Sequence, residues 1–235
     1  MISASDEMPL KAPPTRGAFL FAGSLLLDLF CLHAGVPTPA GRRYRASLQP
    51  GSAVPIIVDM DDIVRQAIAK WPNVPHCFGW LGLDARGNWY MRDDRTQAAG
   101  PFPQSKGSLL KHEKLIEFIH RNYERDAAGQ WFFQNGPQRV YVELEITPWI
   151  WRLGPEYGIT SHSGRSAQVL GAFVDEAGRL YLDTELGFGL VHTLDVQQAA
   201  EAVEQGLWSP QEVRAHELPQ RFGFVPSPAA HRQPA

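Results

Sequence analysis

The chain has 235 residues, 44% apolar and 20% charged, with a net charge of −3 and a pI near 6.2. That is the make-up of a soluble globular protein long enough for a full core, without the basic surplus of a dedicated nucleic-acid binder. Two cysteines, Cys31 and Cys77, give neither a disulfide framework nor a metal-ligand spacing, which suits a reducing, cytoplasmic setting.

Residues 1–59 differ from the rest, holding seven of the 19 prolines and none of the seven tryptophans. Within them 18–34 is an apolar run, which competes as a signal segment or a membrane anchor. Asp28 falls inside it, and burying a charge at mid-span costs about 2.5–3.5 kcal/mol on the insertion scale. The third reading makes 1–59 an over-extended start, because Met60 opens a well-formed helical pattern. Ile63, Val64, Ala67, Ile68 and Trp71 make one apolar stripe, Asp61 and Asp62 favour the start, and Pro72 ends it.

Asp84-Ala-Arg-Gly-Asn-Trp-Tyr-Met91 is the first of three matching stretches. Asp126-Ala-Ala-Gly-Gln-Trp-Phe-Phe133 and Asp175-Glu-Ala-Gly-Arg-Leu-Tyr-Leu182 are the others. An Asp that binds nearby backbone N–H groups, followed three residues later by a Gly, predicts a hairpin turn leading into an aromatic strand. Between the first two copies, 107–124 reads as a helix. After the second, Val140, Val142, Leu144 and Ile146 alternate with Arg139, Tyr141, Glu143 and Glu145, predicting a strand with one wet face. Thr147–Leu153 continues it past a proline suited to an edge or bulge. The segment 154–166 is a Gly- and Ser-rich loop, and Gly187–His192 is a short strand or loop. Asp195 caps a helix over about 195–206, Ser209-Pro210 signals another helix start, and 226–235 reads as a disordered tail. The expected fold is α+β: antiparallel β-hairpins at three Asp-x-x-Gly turns packed with about three helices over 60–225. A division into two small modules near 125 is the variant.

Catalytic constellations are thin. Glu117-x-x-His120 has the spacing of a carboxylate-bridged metal site but occurs once, where such sites need two copies and further Glu residues. A solvated helix face is the simpler reading, and no metal or cofactor is expected. Ser161-His162-Ser-Gly-Arg165-Ser gathers hydroxyls, an imidazole and a guanidinium, yet lacks the Gly-x-Ser-x-Gly elbow and the phosphate-loop ending. His192 with Asp195 would make a base and its orienter, with no nucleophile tied to them. Trp149 and Trp151, two apart on one strand face, suggest an exposed aromatic binding surface.

Four segments carry a resemblance: Met60-Asp-Asp-Ile-Val, Cys77-Phe-Gly-Trp-Leu-Gly-Leu-Asp-Ala-Arg-Gly, Asn135-Gly-Pro-Gln-Arg-Val-Tyr-Val-Glu-Leu and Leu186-Gly-Phe-Gly-Leu-Val-His-Thr. From Met60 to about Pro228 the chain resembles an uncharacterised proteobacterial family, a domain of unknown function. The likeness implies a bacterial protein beginning near Met60 and transfers no activity.

The expectation is therefore a non-catalytic binding or regulatory module with an unknown protein or small molecule as partner. Its ligand-binding candidates are Trp149, Trp151, His162, Arg165 and His192. The alternative is a hydrolase-like enzyme using the His162/Arg165 loop or His192 with Asp195. No nucleic acid is expected, and no membrane unless 18–34 is an anchor.

Overall fold

The computed structural model describes residues 75–231. The extension 1–59, its apolar run 18–34 and the helix expected over 60–71 lie outside the described residues.

Two mixed sheets and four short helices make an α+β fold. The first sheet contains β1 (Cys77–Leu83), β2 (Trp89–Met91), β3 (Ser108–Leu109), β4 (Tyr123–Arg125), β5 (Trp131–Asn135) and β6 (Gln138–Leu144), ordered β3-β2-β1-β6-β5-β4. The second contains β7 (Trp149–Leu153), β8 (Ile159–Ser161), β9 (Ser166–Ala167), β10 (Val169–Val174), β11 (Leu180–Thr184), β12 (Gly189–Val191) and β13 (Gln211–Glu212), ordered β13-β10-β11-β12-β7-β8-β9. The helices are α1 (Asp94–Ala99), α2 (Glu113–Arg121), α3 (Val196–Glu204) and α4 (Leu218–Phe222). The hairpins are antiparallel, as the sequence predicts. The pairings β1–β6, β7–β12 and β10–β13 are parallel, which hairpin reasoning does not reach.

All three Asp-x-x-Gly segments close alike. In each, the Asp N–H donates to the carbonyl four residues on and the Gly N–H donates back to the Asp carbonyl, at 2.9–3.1 Å. The Asp Oδ1 meanwhile accepts the N–H groups two and four residues ahead, at 2.8–2.9 Å. Gly87, Gly129 and Gly178 take φ of 81°, 81° and 76°. The second carboxylate oxygen binds a side chain: Asn88 Nδ2 on Asp84, Tyr141 Oη on Asp126, Tyr181 Oη on Asp175. Each turn is thus internally closed, and the second and third are also tied to a strand of their sheet through Tyr141 and Tyr181.

The change of sheet falls between Leu144 and Trp149, not near 125, because Arg125 ends β4 inside the β4–β5 hairpin. Thr147 makes the corner, its Oγ1 donating to the Trp149 carbonyl while accepting the Leu190 N–H. One apolar cluster runs through both sheets, from Leu81 and Val142 to Trp151 and Leu182. The strand after Pro148 is interior, paired on both sides by β12 and β8, rather than an edge.

Other expectations are corrected by pairing. The helix expected over 107–124 is confined to α2, because Ser108–Leu109 adds to the edge of β2 and His112 Nδ1 caps the helix by accepting the Leu115 N–H. Ser209-Pro210 leads not into a helix but into β13, held parallel to β10. The second face of β6 is not wet: Tyr141 and Glu143 are buried there, with Phe78 stacked on Tyr141 at 4.4 Å. Residues 226–231 are not a disordered tail. The Leu144 N–H donates to the Pro226 carbonyl, and the Ser227 hydroxyl and Ala229 N–H both bond the Glu143 carboxyl.

Burial pushes the Glu143 carboxyl up from its ordinary value, against those hydrogen bonds and the charge of Arg92. A raised acid contributes stability in full below its unfolded value of 4.5 and loses it as pH rises through the folded value. Glu143→Gln should therefore compare least favourably with the parent near pH 4 and more favourably by pH 7, read from urea midpoints across that range. A pH-independent difference would refute the burial argument.

The turns offer a second test. A Cβ at Gly178 meets nothing within 4 Å, whereas one at Gly129 would lie 2.5 Å from the Gly223 carbonyl oxygen and one at Gly87 2.7 Å from His162 Cβ. Gly178→Ala should cost about 1–2 kcal/mol, from backbone strain alone. Gly87→Ala and Gly129→Ala should each cost about 1–3 kcal/mol more, from overpacking. Equal losses in chemical denaturation would contradict this reading of the two contacts.

Candidate functional site

The loop expected over 154–166 contains a fourth turn of the same kind, with Ser in place of Asp. The Ser161 N–H donates to the Arg165 carbonyl at 2.8 Å, and the Gly164 N–H to the Ser161 carbonyl at 2.9 Å. Ser161 Oγ accepts the Arg165 N–H at 3.1 Å, and Gly164 has φ 82°. A hydroxyl three residues before a glycine was the available signal, and searching for Asp alone misses it. This turn joins β8 to β9 and places His162 and Arg165 on it.

The first turn packs against this fourth one, Gly87 over the Cβ of His162. The His162 ring therefore points into the junction of the two sheets rather than into solvent. Its centroid lies 5.6 Å from Trp89, 5.6 Å from His120, 5.9 Å from Tyr123 and 5.7 Å from Trp149. Trp131 extends the cluster, 4.8 Å from Tyr123 and 5.2 Å from Trp149. The Arg165 guanidinium carbon sits 5.9 Å from the Trp149 ring, a cation–π contact at the exposed margin.

Hydrogen bonds assign the protons. The Ile150 N–H approaches His162 Nδ1 at 3.4 Å, so Nδ1 is the acceptor and Nε2 carries the hydrogen. Trp89 Nε1–H donates to His120 Nε2 at 2.9 Å, leaving the His120 proton on Nδ1. His162 as a residue keeps partial exposure, but its Nε2 is out of reach of solvent. That nitrogen and Trp131 Nε1 are buried without a hydrogen-bond partner. Burial, then the nearby His120 and Arg165, bring the His162 pKa down to about 3. Burial and Arg165, opposed by Glu117, bring His120 down to about 4.

Three of the five candidate residues, Trp149, His162 and Arg165, thus converge. The exposed Trp149–Trp151 surface does not exist: both rings are buried, at 1% and 0% exposure, and stacked at 5.9 Å. Their indole N–H groups donate to the Leu186 and Leu182 carbonyls, because β7 is an inner strand covered by the first sheet. His192 stands apart, its Nδ1 accepting the Leu194 N–H at 3.0 Å.

Asp195 does not orient His192, and its side chain does not cap α3. Its carboxylate takes the Arg152 guanidinium and the Leu153 N–H. Burial alone would raise that carboxyl, but these bonds outweigh it and hold it low. The face carrying Glu117 and His120 is only half solvated: Glu117 pairs with Arg121 outside, while His120 turns inward to Trp89. Sequence reasoning weighed His120 only as a metal ligand and did not connect it, Trp89 or Tyr123 with His162, since only the packing of α2 and the first hairpin brings them there. Among the described residues, no group of three His, Cys, Asp or Glu side chains is placed to hold a metal ion.

An open concavity of about 550 Å³ lies elsewhere, between the second turn and the C-terminal segment, lined by Arg125, Gly129, Pro219, Gly223, Phe224 and His231. It collects none of the candidates. The described residues contain no helix long and apolar enough to cross a membrane.

The chain belongs to the DUF2944 family, described as "Protein of unknown function (DUF2946)", whose model matches residues 60–229. No curated protein matches it significantly. Among solved structures it is similar to a DUF1285 family protein from Silicibacter pomeroyi DSS-3, at 11% identity and TM-score 0.39 over 55% of this chain and 72% of that one. A DUF1285 family protein from Shewanella baltica OS155 is similar at 13% identity and TM-score 0.38, over 52% and 91%. Likeness at that level carries no functional argument.

The two imidazoles make the cluster acid-sensitive. Both stay neutral in the folded chain and take up protons in the unfolded one, so stability is complete above pH 6.5 and falls as pH drops toward about 4 for His120 and about 3 for His162. His162→Phe should remove about 1.4 kcal/mol per pH unit from the slope of stability between pH 6 and 4. Denaturant titrations at successive pH values measure it, and an unchanged slope would refute the burial of this imidazole.

Proposed function

Taking membership of that family as the premise, we propose that the chain is a cytoplasmic, non-catalytic module that binds a small molecule at the His162 cluster. One observation carries the reading: a buried imidazole N–H stands without an acceptor among aromatic rings, beside an arginine that has no carboxylate partner among the described residues. Leaving a buried donor unmade costs about 1–3 kcal/mol. An uncompensated group of this sort is more readily understood as serving a ligand than as serving the fold. The surrounding rings would supply the apolar walls of a ligand site, and the Ser161–Arg165 turn its exposed rim.

The catalytic alternative loses its support because its groups are already engaged. Asp195 serves Arg152, His192 caps a turn, and Ser161 Oγ closes the fourth turn while bonding Ser163 Oγ. None is left as a nucleophile with its base.

The test is a small-molecule screen on the full chain, spanning neutral, cationic and anionic compounds, read by NMR of the His162 ring and the Trp89, Trp131 and Trp149 indoles. Hits should shift these resonances together and lose at least tenfold in affinity in His162→Phe. A screen in which no compound moves them, or in which hits ignore His162→Phe, overturns the reading.

A further inference from the structure

The donors and acceptors of the cluster do not balance, and the imbalance has one sign. His162 presents Nε2–H and Trp131 presents Nε1–H, both buried without a partner. His120 carries its proton on Nδ1 because Nε2 accepts from Trp89. Arg165 adds a guanidinium, donor-only and always charged. The one hydroxyl in the cluster, Tyr123 Oη, donates to the Pro148 carbonyl at 3.2 Å. The His162 Nδ1 and His120 Nε2 lone pairs are taken by Ile150 and Trp89. No carboxylate of the described residues is hydrogen-bonded to the cluster; Glu117, whose charge reaches His120, pairs with Arg121 on the outer face of α2. Aromatic faces accept N–H groups only weakly, so the rings do not restore the balance.

From this inventory we infer that the cluster is an anion site, built for a small carboxylate or inorganic oxyanion that enters where Arg165 lies over the Trp149 ring. The inference rests on the reading of the cluster as a ligand site and specifies what that site takes. An anion supplies the acceptor that His162 Nε2–H lacks, and its charge is met by Arg165 rather than by a buried countercharge. A neutral or cationic ligand would leave the guanidinium unmatched or oppose it. A carboxylate attached to a flat ring matches the donors and can stack beside Trp149, the ring that Arg165 overlies. The residues that delimit the entry, Gly164, Arg165 and Ser166, are exposed on the fourth turn.

The experiment uses the full chain and four probes: acetate, benzoate, benzamide and benzylamine. Binding is followed by tryptophan fluorescence and by the NMR signals of His162 Nε2–H and Trp131 Nε1–H. Benzoate should bind at least tenfold more tightly than benzamide, with acetate weaker than benzoate and benzylamine not binding. Arg165→Gln, an exposed substitution that leaves the fold intact, should weaken benzoate about tenfold and leave benzamide unchanged. Benzamide or benzylamine binding at the cluster as well as benzoate would overturn the anion assignment while leaving a ligand site in place. Benzoate binding that is indifferent to Arg165→Gln would overturn it as well. If none of the four perturbs either N–H signal, both the assignment and the site reading fall.

Discussion

The structure depends on the contact between Gly87 and His162. A turn from the first sheet presses its glycine onto the side chain of a turn from the second, so closely that a Cβ would lie 2.7 Å from His162 Cβ. That approach turns the His162 ring inward, away from water and among Trp89, Tyr123 and Trp149. The joining of the sheets and the burial of the imidazole are one event. A substitution that separates the turns would alter both.

The turns themselves rest on a simple economy. One side-chain oxygen, from Asp or Ser, takes up backbone N–H groups that a reversal of the chain would leave unpaired, and a glycine adopts the positive φ that closes it. Asp has a second oxygen to spare, so Asp126 and Asp175 each bind a strand tyrosine and fasten the turn to its sheet, while Asp84 binds Asn88 within its own turn. Ser161 has only its hydroxyl, shared with Ser163, and its turn is held from outside by Gly87 and by the His162–Ile150 backbone bond. The least self-sufficient of the four turns is the one that carries the candidate site, as expected where ligand-facing elements sit at the weaker end of a fold.

Polar burial divides into two kinds. Arg152 with Asp195, Thr147 with Leu190, and Glu143 with Ser227 and Ala229 are paired and structural: they fix a helix start, the corner between sheets and the C-terminal segment. The His162 cluster is the other kind, rich in donors, poor in acceptors and bordered by a cation. The proposed function follows from that contrast more than from any motif.

Much of the architecture is legible in local sequence, because it is governed by local chemistry. The hairpins, the Asp-x-x-Gly reversals, the alternation through Val140, Val142 and Leu144 and the helix before Gly206 depend on interactions within a few residues. The ligand candidates Trp149, His162 and Arg165 were also visible as residue types. Their setting was not, and the reason is separation along the chain. Burial of Trp149 and Trp151, the parallel pairing of β1 with β6, the capture of Ser209–Glu212 as a strand and the ordering of 226–231 all depend on partners tens of residues away. What the sequence determined was where the chain turns and which side chains are available. Which of them lost their water, and were left as buried donors without an acceptor, was decided only when the two sheets packed together, since desolvation is a property of the neighbours a residue acquires in space.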